Sequence, residues 1–385
     1  MPKELIATEK IAAVDTHRVH GVDALRGIAA TGVVIVHAIG ICPLGVPFYG
    51  WSTSYLVLGV PLFFIISAFS MSIAYRTGIG DVGAARRYAI RRILRIAPLF
   101  YVMLVAWIVY YKHLGSPFPS FKTLFLNMSF LFGLVPSAQV SYVPAGWSIG
   151  VEMLFYAVFP VVWLRRGFLP AVVILLVAVT ATWLLNHSQI KNGEGYFYWT
   201  NFATNAPYFA VGLVAWWLFS MAITLSARLQ RLSGSLALWL GLGLVVIMLL
   251  YGPELSGQQV VYDPVPLHLI LGWGTAFGLL VLSQALAPVR LLVNPATRFL
   301  GMISYSLYLS HPLLIYSTKV SVWAASLAPN QYLVVPVVAI VTLSCAIPIS
   351  WLLYTLVEAP FIRLGRRLTT VPISAQSSLR PVDHA

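Results

Sequence analysis

Residues 55–75 read YLVLGVPLFFIISAFSMSIAY, 21 consecutive positions without an Asp, Glu, Lys or Arg, and Arg76 closes the run. A hydrocarbon core about 30 Å thick takes about 20 helical residues to cross, so this stretch has the length of a membrane span. Runs of the same kind recur from end to end. Of the 385 residues, 59% are apolar and 9% charged, whereas a soluble domain carries about a quarter charged residues. Ten spans are expected, near 27–43, 55–75, 96–111, 147–164, 169–185, 199–220, 236–252, 267–288, 299–318 and 332–357. The stretch 118–136 is apolar but short and flanked by Pro117, Pro119 and Pro136, which reads as a re-entrant or interfacial segment. The fold class is an all-α integral membrane bundle of about ten transmembrane helices.

Charge sets the orientation. With the N-terminus inside, 20 of the 24 basic residues fall in inside segments, and only Lys112, Lys122, Lys191 and Lys319 lie outside. That asymmetry places both termini in the cytoplasm. The net charge of +13 sits in short clusters between apolar runs, so it reads as a topology signal and not as a nucleic-acid surface. Residues 1–22 form a cytoplasmic N-terminal segment, 23–367 a single membrane domain, and 368–385 a Ser-, Pro- and Gln-containing tail expected to be disordered. The N-terminus lacks a signal-peptide pattern, so the first span is expected to be retained. Cys42 and Cys345 make no CxxC pair, which argues against a zinc site or a disulfide framework. No metal is expected. No internal repeat and no inverted pair of broken helices is visible.

Ionisable groups inside spans are costly and are functional candidates for that reason. They are His37, Glu152, His311 and, at the end of the last span, Glu358. Arg26 and His37 are eleven residues apart, which brings them within about 20° of one helix face and about 16 Å apart along it. That spacing suits a ligand with phosphates at one end and a reactive group at the other. The plainer reading is a histidine bonded to a neighbouring helix and an arginine serving topology. Asp23, three residues before Arg26, is a local helix partner.

Arg86, Arg87, Arg91, Arg92 and Arg95 form a cluster that contains no lysine. Lysine would orient the chain equally well, but only arginine offers a planar fork for phosphate oxygens. Arg92 and Arg95 share a face. Lipid headgroups are the competing ligands. Ser148 and Glu152, at i and i+4, open the fourth span from outside, with Glu152 about 7 Å below the boundary. A carboxylate there requires a partner, a proton or a water-filled cavity, and an ion pair with an arginine is one option. His311, before Pro312, reads first as a structural histidine. Tyr49, Trp51, Tyr142, Trp147, Tyr196, Tyr198 and Trp199 suit either sugar stacking or an interfacial belt.

Ordered pieces of the chain resemble the bacterial membrane acyltransferase-3 family of glycan O-acyltransferases. They are Asp23-Ala-Leu-Arg26-Gly27 with His37, then Gly59-Val-Pro-Leu-Phe-Phe-Ile-Ile-Ser67-Ala-Phe69, then Arg91-Arg92-Ile-Leu-Arg95-Ile-Ala-Pro98. Trp147-Ser148 to Glu152 with Phe155-Tyr156, Ile303 to Pro312, and Val357-Glu358-Ala-Pro360-Phe361 complete the series. Ala68 stands where the family commonly has glycine, and Ile149-Gly150-Val151 precedes a single Glu152 where the family has paired acids.

The resemblance implies ten or eleven spans, cytoplasmic acyl-CoA as donor and a sugar acceptor. It gives Arg26 and His37 an essential role, and Arg92 and Arg95 a part in acyl-CoA handling. The expected activity is O-acylation, with acetyl the default group, of an extracytoplasmic polysaccharide or lipid-linked sugar in the bacterial inner membrane. Acyl-CoA is a co-substrate, and no permanent cofactor is expected. His37 would act as general base with Glu152 orienting, and Asp23, Ser148 and His311 are possible supporting residues. A proton-coupled transporter or flippase with His37, Glu152 and His311 as a relay is the alternative.

Overall fold

Without water in the hydrocarbon core, each crossing segment must satisfy its own backbone, and helices do this locally. The computed structural model describes residues 19–41, 55–164, 167–187, 199–256 and 266–370, and among the described residues there is no β-strand. The helices are α1 (His20–Ile41), α2 (Gly59–Ala74, entered through a 3-10 turn at Tyr55–Leu58), α3 (Val82–His113), α4 (Phe121–Ser129), α5 (Trp147–Val162) and α6 (Phe168–His187). There follow α7 (Phe202–Ala222), α8 (Ala227–Ser256), α9 (Leu267–Leu286), α10 (Pro295–Thr318), α11 (Val320–Ser326), α12 (Val334–Leu353) and α13 (Ala359–Thr369).

Among the described residues, eight helices are long and apolar enough to cross a membrane: α1, α2 with its entry turn, α3, α6, α7, α8, α9 and the joined α12–α13. Two of the expected spans, α5 and α10, fall outside that set for different reasons. α5 has 16 residues, about 24 Å of helix. α10 is long enough, but Ser304, Tyr305, Ser306, Tyr308, Ser310 and His311 make it polar. All six of those side chains are buried by neighbouring helices, so α10 is shielded from lipid by protein and need not be apolar. The segment 118–136 holds the nine-residue α4 and the 3-10 turns Leu131–Leu134 and Pro136–Ala138. About 13 Å of helix is too short to cross.

Several helices start earlier than the apolar runs do, because their first turns lie in polar surroundings. α3 is capped by Asp81, whose carboxylate accepts from the Ala84 amide at 2.7 Å, and it carries the arginine cluster on its first turns. α10 opens with a capping box: Thr297 N donates to Asn294 Oδ1 at 3.0 Å, and Asn294 N donates to Thr297 Oγ1 at 3.2 Å. Pro295 at the first position has no N–H to leave unpaired.

α1 lies along α10, α2 against α7, α7 against α6 and α9, α8 against α9, and α12 against α10 and α1. The α1–α10 crossing is close because both helices present glycine there. A Cβ on Gly27 would sit 2.6 Å from the Thr297 carbonyl oxygen, and one on Gly301 would run into the Asp23 carbonyl. Small residues allow such approach between membrane helices. At the periphery, Leu176, Val177 and Leu184 of α6 and Leu236, Trp239 and Leu250 of α8 are exposed, an apolar surface suited to lipid. α12 runs into α13 through a π-turn at Tyr354–Glu358, and α13 packs on the start of α3, where Arg91 Nε donates to Thr369 Oγ1 at 2.6 Å.

Candidate active site

α1, α2, α3, α5 and α10 enclose a cavity of about 270 Å³ whose lining includes Arg26, Arg92, Arg95, Ser148 and Glu152. Five residues singled out by sequence, from three separate helices, thus meet in one place.

The cationic part comes from α1 and α3. Arg26 lies 3.5 Å from Asp23 and donates from Nη2 to Ser70 Oγ at 3.2 Å. Three-residue spacing turns Arg92 and Arg95 to the same side of α3, while Arg91 turns to α13 and Arg86 stays exposed. Arg95 forms an ion pair with Glu358, whose second oxygen accepts from Ser306 Oγ at 2.7 Å. Glu358 is buried and closes the π-turn, a bulge often found at functional sites. Tyr305 OH donates to the Ile96 carbonyl at 2.7 Å and ties α10 to α3 beside Arg95.

Arg92 differs from its neighbours. Its guanidinium lies 5.8 Å from the Tyr75 ring centre and 5.7 Å from that of Tyr156. Among the described residues it has no carboxylate partner, and its buried Nε has no acceptor.

Glu152 enters from α5. Its Oε1 accepts from Ser67 Oγ at 2.6 Å and from Tyr156 OH. Tyr156 OH is also 3.0 Å from Ser67 Oγ. An arginine was one expected partner for this carboxylate; two hydroxyls take that place, and Oε2 has no hydrogen-bond partner among the described residues. Ser148 Oγ lies 2.7 Å from Tyr308 OH, which donates to the Ala145 carbonyl at 3.0 Å. Ala145 has φ of 65°, a left-handed conformation that side chains disfavour and that tends to persist at functional sites.

His37 and His311 do not line this cavity. They face each other instead, with His37 Nδ1 2.7 Å from His311 Nε2. The ring of Tyr308, which does line the cavity, meets His311 edge-on at 6.0 Å. The histidine pair is therefore one aromatic layer beyond the arginine-lined space.

Of the aromatic residues offered as sugar-stacking or belt candidates, Tyr49, Trp51, Tyr196 and Tyr198 lie outside the described residues. Tyr142 packs edge-on against Tyr111, and Trp147 against Trp199 at 5.1 Å. Sequence reasoning gave no role to Ser67, Ser70, Tyr156 or Tyr308. Tyr156 was within reach, since 148, 152 and 156 continue one i, i+4 row. Ser67 and Ser70 were not, because nothing in an apolar run says which face meets the arginines.

Helices of this length and apolarity around a buried arginine-lined cavity define a multi-pass membrane protein with an internal polar site. The chain belongs to the acyltransferase-3 family: the family model, described as an acyltransferase domain, matches residues 19–355. It is also similar to a protein of Acidianus two-tailed virus named "Putative acetyltransferase ORF330", with 26% identity over 306 residues covering 75% of this chain and 81% of the relative. No solved structure matches.

Proposed function

We propose that this acyltransferase moves an acyl group, acetyl by default, from cytoplasmic acyl-CoA to a hydroxyl of an extracytoplasmic glycan or glycolipid. The observation that carries this reading is Arg92, a half-buried cation whose Nε is sealed from solvent and which has no carboxylate partner among the described residues, beside Arg26 and Arg95. A buried charge is costly unless an anion meets it, and the planar fork suits phosphate. The phosphates of acyl-CoA supply that anion, and the pantetheine arm reaches past Tyr308 toward His37.

α5 and α10 complete ten spans with both termini cytoplasmic in this reading, which sets the arginines at the inner face and Glu152 toward the outer one. His37 removes the proton of the acceptor hydroxyl as its oxygen attacks the thioester carbonyl. The new C–O bond forms, the C–S bond breaks, and the thiolate takes the proton back from the His37 imidazolium to leave as free CoA. The Glu152 Oε2 accepts from the acceptor sugar, held in place by Ser67 and Tyr156 at Oε1. Acyl-CoA is not available beyond the inner membrane, so a transferase serving outer glycans must receive it through the bilayer.

The test is CoA release from acetyl-CoA by purified protein with a soluble oligosaccharide acceptor. Acceptor-dependent release that His37→Ala abolishes supports the reading. Acceptor-driven proton uptake into proteoliposomes, with no CoA release, points to a transporter instead.

A further inference from the structure

The hydrogen bonds around His311 have a direction. Its Nδ1 lies 3.1 Å from the Leu307 carbonyl oxygen, and a carbonyl can only accept, so Nδ1 bears the proton. Leu307 is four residues earlier on the same helix, so α10's own backbone supplies this acceptor. His311 is fully buried and makes no ion pair among the described residues. It is therefore read as a neutral ring, and its Nε2 is an acceptor. Among the described residues, the atom placed to donate to it is His37 Nδ1, 2.7 Å away. His37 then has its proton on Nδ1 and a bare lone pair on Nε2.

The ring geometry agrees. The centroids are 5.0 Å apart with planes 13° from parallel. With nitrogens in hydrogen-bond contact, that separation describes two rings edge to edge in nearly one plane, not one lying over the other. The lone pair of His311 Nε2 lies in that plane and is aimed at the His37 N–H.

We infer that His311 is a positioning residue: it fixes the tautomer and ring orientation of His37 so that Nε2 faces the reacting hydroxyl as the basic atom. This rests on the reading of His37 as the base and adds a defined nitrogen and a defined partner to it. When Nε2 takes the acceptor's proton, the imidazolium keeps its Nδ1–H bond to His311, so the ring does not turn before the thiolate recovers that proton. Tyr308 closes the arrangement, with its ring against His311 and its hydroxyl on Ser148 and the Ala145 carbonyl. An oriented histidine pair thus lies one aromatic ring, that of Tyr308, beyond the cavity that holds Glu152.

The experiment compares His311→Leu, His311→Gln and His37→Ala in full-length protein, using acetyl-CoA with a soluble oligosaccharide, and adds ¹⁵N NMR of histidine-labelled wild type. Leu keeps apolar packing and removes the acceptor; Gln returns a carbonyl oxygen. His311→Leu is expected to lower kcat about 10–100-fold, the size of loss seen when the hydrogen-bond partner that orients a metal-binding histidine is removed. The KM for acetyl-CoA should stay within about twofold, because no ground-state contact to the donor is lost. His311→Gln should recover part of the rate. The double variant His37→Ala/His311→Leu should be no slower than His37→Ala alone, because the two residues act as a unit. The NMR spectrum should show His37 protonated at Nδ1 and bare at Nε2, a result that does not depend on any variant folding.

Wild-type His37 protonated at Nε2 overturns the inference. So does full kcat in His311→Leu beside an inactive His37→Ala, which leaves the base reading intact. Normal turnover in His37→Ala overturns the base reading itself, and the inference with it.

Discussion

Arg92 and Arg95 sit three residues apart on one helix, yet they are in different electrostatic positions. Arg95 is paired with Glu358, whereas Arg92 lies against the rings of Tyr75 and Tyr156 with no carboxylate partner among the described residues. Replacing Arg92 by Lys keeps the charge but loses the fork. It should raise the KM for acetyl-CoA about tenfold, equivalent to ~1.4 kcal/mol, with insertion and topology unchanged. An unaltered KM would mean that Arg92 serves lipid or topology alone. Glu358 gives the opposite kind of test. Glu358→Gln leaves a half-buried Arg95 beside a neutral group and should cost up to about 3 kcal/mol of stability, visible as a lower Tm in detergent. Changing both partners, Arg95→Met with Glu358→Leu, should recover the Tm without recovering acyl-CoA use. If activity returned with stability, Arg95 would be structural. At Glu152, Gln keeps the shape and removes the charge, and the KM for the oligosaccharide should rise more than that for acetyl-CoA.

Between helices, the α1–α10 contact matters most, because it sets His37 against His311 and Arg26 at the cavity. Gly301→Leu would drive a side chain into the Asp23 backbone, so the helices must part. Lower Tm and lost activity are expected together. Gly243→Ala, on lipid-facing α8 where an added Cβ meets nothing within 4 Å, should leave activity unchanged and gain up to about 1 kcal/mol of helix stability. Equal effects of the two changes would contradict the packing argument.

Sequence showed these elements unevenly. The run 55–75 was readable because one compositional fact, the absence of charge, decides it. α10 was expected as a span from its uncharged run at 299–318, but its six buried polar residues were not readable as an interior face, since burial by protein leaves no hydropathy trace. The helical spacing of Arg92 and Arg95, and of Ser148 and Glu152, correctly put each pair on one face. What spacing within a helix does not contain is which face meets which neighbour. That is why Ser67 as partner of Glu152, Glu358 as partner of Arg95 and His311 as partner of His37 appear only in three dimensions.

In the proposed orientation, with α5 as a crossing, the chemistry is spread along the bilayer normal across the whole molecule. Arg92 and Arg95 lie near the start of α3, on turns that precede its apolar stretch, whereas Ser148 and Glu152 lie near the start of α5. Successive crossings alternate in direction, so α3 and α5 begin on opposite sides if α4 does not cross. The nine residues of α4 meet that condition. Exposed apolar side chains on α6 and α8 and a buried polar α10 fit the same picture, with lipid outside and substrates within.

The most direct test of the account reconstitutes the protein in sealed vesicles with acetyl-CoA on one side and the oligosaccharide on the other. Orientation is read from a cysteine label placed at exposed Arg86, in a background lacking Cys42 and Cys345. The account predicts CoA release and acyl-oligosaccharide only from molecules whose position 86 faces acetyl-CoA. Efficient transfer with both substrates confined to that side, and none when they are separated, would contradict it.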